Sequence, residues 1–139
     1  MYKHLMVPVD LEYTPEQDKA LQAAADLARH YQATLCLVAV RVSVPNAIST
    51  TPEHFAVALN LFAREHGERF GVTMDTLILD SVDPAADLVD KLLEGIQESE
   101  ADLVIMASHK PEVSDRLHLT GSHAAQLVRQ SDVSVFVVR

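Results

Sequence analysis

The chain has 139 residues, 48% of them hydrophobic and 22% charged, with 11 Lys and Arg against 20 Asp and Glu and a formal net charge of −9. That size predicts one domain, 1–139, with a real hydrophobic core. The acidity and the lack of a basic stripe argue against nucleic-acid binding, and no apolar run nears the ~20 residues that would insert in a membrane. The opening MYKHLMVPVD lacks the apolar core and cleavage site of a signal peptide, and the single cysteine, Cys36, leaves no internal disulfide. A cytoplasmic protein with Cys36 in its core is therefore expected.

In chain order, Lys3–Asp10 reads as a first strand, its near-continuous apolar run (Leu5, Met6, Val7, Val9) pointing to burial on both faces. Thr14-Pro15-Glu16-Gln17 is a helix start, with Thr as cap, Pro at the first position and Gln in the capping-box place. Ala20, Leu21, Ala24, Leu27, Ala28 and Tyr31 then keep helical spacing, and Thr34–Val42 is a second strand. A loop over Ser43–Thr50 leads to a second Thr-Pro helix start at Thr51-Pro52. The inner face of that helix carries Phe55, Leu59, Phe62, Ala63 and His66, and Gly67 or Gly71 ends it. Val72–Leu79 is a third strand, and Asp83-Pro84 opens a third helix with Leu88, Leu92, Leu93 and Ile96 inward. Asp102–Ala107 is the fourth strand, Gly121–Gln130 a short helix and Val133–Val138 the fifth strand.

Strands alternating with helices predict an α/β fold, a doubly wound, mainly parallel sheet with helices on both faces. Ligands of such sheets bind beyond the carboxyl ends of the strands, where the helices change sides. The first and fourth strands are the natural pair to flank that point. Asp10, just past the first strand, is placed either to touch a ligand there or to cap the following turn. Gly121-Ser122 opens the last helix, where unpaired N–H groups and the helix dipole suit a phosphate; the same pair also serves as an ordinary turn and cap. Ser108-His109-Lys110 follows the fourth strand, and Lys110 or Arg116 offers charge for a phosphate unless it is simply solvated surface. No G-x-S-x-G elbow, metal-ligand spacing, G-x-x-x-x-G-K-[ST] loop or G-x-G-x-x-G turn is present, so no catalytic residue and no metal site is assigned.

The opening MVPVD, Asp83-Pro84-Ala85, Ala101–Met106, Ser108-His109, Gly121-Ser122 and the closing Ser134–Arg139 together, in order and spacing, resemble the universal stress protein family over essentially the whole chain. The resemblance implies a five-stranded parallel sheet of order 3-2-1-4-5 with four helices, and a homodimer formed through the last strand. The ATP-binding branch of that family carries G-x-x-G, nine residues, then G-[ST]. Here Ala107 and Lys110 stand at the two early glycines, and ten residues separate Lys110 from Gly121. The segment Ala-Ser-His-Lys-Pro-Glu resembles a branch with an altered glycine motif.

Carried over by position, Pro8, Val9 and Asp10 would line the adenine and ribose end, and Val40 would touch adenine. Met106 and Ala107 would face the ribose or phosphates, with Ser108 and His109 beside them. Lys110, Gly121, Ser122 and His123 would surround the phosphates. The implied ligand is ATP or AMP, with or without Mg2+, in a sensor that reports to an unknown protein partner and hydrolyses ATP slowly at most. The altered glycines support a second reading, a nucleotide-independent dimeric interaction module. A small enzyme using Asp10, Ser108 and His109 is a third, a function that fold analogy cannot supply.

Overall fold

A computed structural model of the chain describes residues 1–11, 14–43, 51–108 and 121–139, except for the side chains of Thr14, Pro15 and Glu16. Most of the expected loop at 43–50 and the segment 109–120 lie outside the described residues.

The strand β1 (His4–Pro8) is the middle of a five-stranded parallel sheet. It is followed by α1 (Thr14–Tyr31), β2 (Thr34–Val42), α2 (Pro52–Phe70), β3 (Met74–Ser81), α3 (Pro84–Ser99), β4 (Leu103–Ala107), α4 (Gly121–Gln130) and β5 (Ser134–Val138). The strand order is β3-β2-β1-β4-β5, as the resemblance implies. β1 pairs with β2 from His4–Thr34 to Pro8–Val38 and with β4 at Leu5–Leu103 and Met6–Val104.

The period of two along the strands sorts their side chains into two layers. Leu5, Val7, Leu35, Leu37, Leu103 and Ile105 meet α1 and α2, while Met6, Val38, Val104 and Met106 meet α3 and α4. α1 brings Ala20, Ala24, Ala25 and Ala28 against the sheet, and these short side chains let the helix lie close to it. Helices change face between β3 and β4, so the switch point falls between β1 and β4, as their neighbouring positions require.

The third strand starts and ends two residues later than the apolar pattern suggests. Gly71 terminates α2 in the left-handed region, at φ 73°, and the Val72 N–H still donates to Gly67 O at 3.0 Å. That C-terminal closure consumes Val72 before the strand begins. At the other end Val42 pairs with Ser81, and Ser43 N–H donates to Ser81 O at 2.8 Å, drawing the strand past Leu79. Gly71, not Gly67, is thus the stop signal. Gly67 is small for another reason: a Cβ there would stand 2.6 Å from Val72 O. Thr51 caps α2 as expected, accepting from the His54 N–H at 3.2 Å.

The entry of β1 is held by Asp102, just before β4. Its carboxylate accepts from Lys3 N–H at 2.8 Å and His4 N–H at 3.0 Å, while its own N–H donates to His4 O at 2.9 Å. Partial burial works against the charge on Asp102, but these backbone donors outweigh it and hold the carboxyl below its ordinary pKa. The two sheet edges differ. β3 carries exposed Asp75 and Asp80, the latter paired with Arg41 at 2.7 Å, whereas β5 (SVFVV) exposes Phe136 and Val137 and carries no charge.

Two expectations follow. Because the folded pKa of Asp102 lies below the unfolded one, its stabilisation is full above the unfolded pKa and is lost as pH falls through the folded value. Urea unfolding should therefore show Asp102→Asn to be clearly destabilising near neutral pH and progressively less so below about pH 4; an equal difference at both ends would refute this role. Gly67→Ala should lose about 1–3 kcal/mol by crowding the Val72 carbonyl, read in the same assay.

Candidate functional site

Beyond the carboxyl end of β1, the chain must leave the sheet without orphaning its peptide groups. Val9, buried, donates its N–H to Val38 O at 2.9 Å, prolonging the contact with β2. Asp10, half-buried, has no further strand to pair with, and the amide of Gln17 supplies both missing partners. Asp10 N–H donates to Gln17 Oε1 at 2.6 Å, and Gln17 Nε2 donates to Asp10 O. Gln17, expected in a capping-box role, is only 4% exposed and sits on the inward stripe of α1 ahead of Ala20, Leu21 and Ala24.

The neighbouring strand ends present the other expected residues. Pro8 is buried at the last position of β1. Val40 is half-buried near the end of β2 and packs against the layer of α3 and α4. Met106 is fully buried in that same layer. Ala107 turns its methyl into the opposite layer beside Val138, and it is not among the described non-glycine residues with positive φ, which are Gln32 and Glu100. The backbone at 107 therefore does not require glycine, and the methyl has a home in the core. Ser108, half-buried, donates its N–H to Val138 O at 2.9 Å, tying the exit of β4 to β5.

A helix that joins parallel β4 to parallel β5 must run back along the sheet. The amino end of α4 therefore lies at the same end as Val9, Asp10 and Ser108. Gly121 is its first residue, with Ser122 exposed and His123 half-buried in the first turn. His109, Lys110, Arg116 and His118 lie outside the described residues. The described part of the site is thus a set of strand ends facing a helix amino terminus, whose N–H groups and dipole favour an anion.

Two features escape a first reading of the sequence. Gln17 was detectable as a polar residue on an otherwise apolar helical stripe. Ser81, 2% exposed, organises the β3–α3 junction: its Oγ donates to the Asp87 carboxylate and accepts from Asp83 N–H at 3.1 Å. Asp83, the expected helix starter, makes no side-chain cap bond.

A groove of about 510 Å³ lies elsewhere, between α2 and the start of β3, lined by Asn60, Arg64, Gly67, Glu68, Thr73 and Met74. Those residues sit at the amino end of β3, opposite the switch point, and none is an expected site residue. Cys36 is half-buried on β2 rather than fully enclosed, and burial, aided by the Asp75 charge, pushes its thiol up to about 11. Among the described residues, no helix is long and apolar enough to cross a membrane, and no His, Cys, Asp and Glu side chains group as a metal site.

A sequence model of the universal stress protein family matches residues 1–139. Universal stress protein G of Salmonella typhimurium is 28% identical over 148 aligned positions, covering all of both chains. A universal stress protein solved in complex with cAMP superimposes with a TM-score of 0.71 at 19% identity, covering 99% of this chain and 97% of that one. The Archaeoglobus fulgidus universal stress protein in complex with dAMP gives 0.64 at 18% identity, covering 99% and 98%. At those identities the structural likeness speaks for the fold.

The raised Cys36 thiol should be protonated at neutral pH, since the thiolate is the reactive form. Alkylation of the folded protein at pH 7.5 should be at least about tenfold slower than that of the unfolded chain, as a thiol near its ordinary pKa would react faster. Equal rates in the two states would contradict the placement of Cys36.

Proposed function

The chain belongs to the universal stress protein family, and on that premise we propose that this stress-response protein binds an adenine nucleotide at the β1–β4 switch point. The observation that carries the reading is one of placement. Val9, Asp10 and Ser108 lie at the same end of the sheet as the amino end of α4, so a polar strand exit shares that end with an anion-favouring helix start. Support also comes from solved relatives of the same fold, described in complex with cAMP and dAMP.

In this reading Pro8, Val9, Asp10 and Val40 hold the adenine and ribose end, and Met106, Ala107 and Ser108 form the floor. Gly121, Ser122 and His123, with His109 and Lys110, hold the phosphates of ATP or AMP, with Mg2+ accompanying the triphosphate. The net charge of −9 opposes a polyanion at a distance, so local backbone donors must supply the attraction. The proposed role is that of a cytoplasmic sensor or regulator that hydrolyses ATP slowly at most. Occupancy would alter a surface read by a partner protein. We also propose a homodimer through Val133–Val138, which would cover the exposed Phe136 and Val137.

The second reading, a nucleotide-independent interaction module, is favoured by Ala107 and Lys110 standing where the ATP-binding pattern has glycine. The two readings separate cleanly. Denaturing extraction of purified protein should release an adenine nucleotide, or stripped protein should rebind one with micromolar affinity by calorimetry. Gly121→Val should weaken that binding by at least tenfold, ~1.4 kcal/mol, without unfolding the chain. Neither release nor rebinding, in a folded protein, would favour the interaction module.

A further inference from the structure

Asp10 is the first residue beyond the ladder of β1, where a chain is free to choose its own dihedrals. Here it is not free. The two bonds from Gln17 take the N–H and the C=O of the same residue, one on each side of the Cα. Holding both groups fixes φ and ψ together, and with them the direction of the Cα–Cβ bond. We infer that Gln17 is the positioning residue of the nucleotide site, setting by its side-chain amide the conformation from which Asp10 meets the ligand. This inference rests on the nucleotide-binding reading.

The chemistry of the amide suits the task. It offers one acceptor and one donor in a single plane, which no carboxylate, hydroxyl or apolar side chain of that length can match. Gln17 is also firmly seated. It is 4% exposed, and the next residue, Asp18, binds α2 through Arg69 Nη1 at 2.8 Å and His66 Nε2 at 3.5 Å. His66 is held in turn, its Nδ1 against Phe62 O at 2.9 Å and its ring stacked on Phe62 at 4.0 Å. The first turn of α1 is thus braced against α2 on one side while it grips the exit of β1 on the other. Rigid support behind a contact residue is what preserves affinity, because a loose contact must be ordered on binding.

The test compares the full-length protein with Gln17→Met, which keeps length and removes the amide, and with Ile96→Ala, a core change near the carboxyl end of α3, at the opposite end of the sheet from the site. Calorimetry with AMP should give at least a tenfold weaker affinity for Gln17→Met and an unchanged affinity for Ile96→Ala, both checked for folding. Amide exchange by NMR should show loss of protection at Asp10 in the first variant beyond its change in global stability. A folded Gln17→Met that binds AMP like the unaltered protein overturns the inference and leaves the nucleotide reading intact. An unaltered protein that binds no adenine nucleotide overturns both. Should Gln17→Met fail to fold, the unaltered protein still decides: AMP should shift the Gln17 side-chain amide signals together with the Asp10 amide, and unmoved Gln17 signals would refute the coupling.

Discussion

Everything in this molecule is arranged around the five residues of β1. They are paired on both sides, with β2 and β4, and covered on both faces, Leu5 and Val7 by α1 and α2 and Met6 by α3. Leu5 to Pro8 are buried from solvent, so each backbone polar group there must find a protein partner. The ends are where that requirement is hardest to meet, and there the chain spends polar side chains. Asp102 takes the N–H groups of Lys3 and His4 at the entry, and Gln17 takes both peptide groups of Asp10 at the exit. The same constraint that stabilises the central strand therefore also shapes the rim where a ligand would bind.

The fold was largely readable because its two periods are plain. The apolar run of Leu5–Val7 announced a strand covered on both faces, and the Ala-Leu stripe of α1 announced the helix over it. The boundaries of β3 were less readable. Val72 is a good strand former, but the left-handed closure at Gly71 claims it, and local propensity cannot express that competition. The apolar pattern stops at Leu79, yet the strand runs on to Ser81, whose partners come from 38 residues earlier at Ser43 and from Asp83 and Asp87 at the start of α3.

The site was legible as a set of chain positions and not as a set of contacts. That Val9, Asp10, Ser108 and Gly121 lie at one end of the sheet follows from topology alone once the strand order is known. What holds them does not follow, because Gln17 reaches back seven residues to a backbone, and backbone partners leave no trace in residue type. Ala107 shows the converse. A methyl where a related pattern has glycine reads in sequence as a small intrusion, but its side chain packs into the core and its φ is not positive. His109 and Lys110 lie outside the described residues, so their part in the site rests on position.

The unlike edges of the sheet have a consequence for assembly. A strand edge is a template, and a molecule with two usable templates could extend in both directions into a filament. Here β3 is marked by Asp75 and Asp80, while β5 is apolar and uncharged. Any pairing of β5 with its own copy uses up the receptive edge of both partners at once. A ten-stranded product of such a pairing would present only β3 at both margins, each with exposed Asp75 and the Asp80–Arg41 ion pair in place of the apolar β5 side chains.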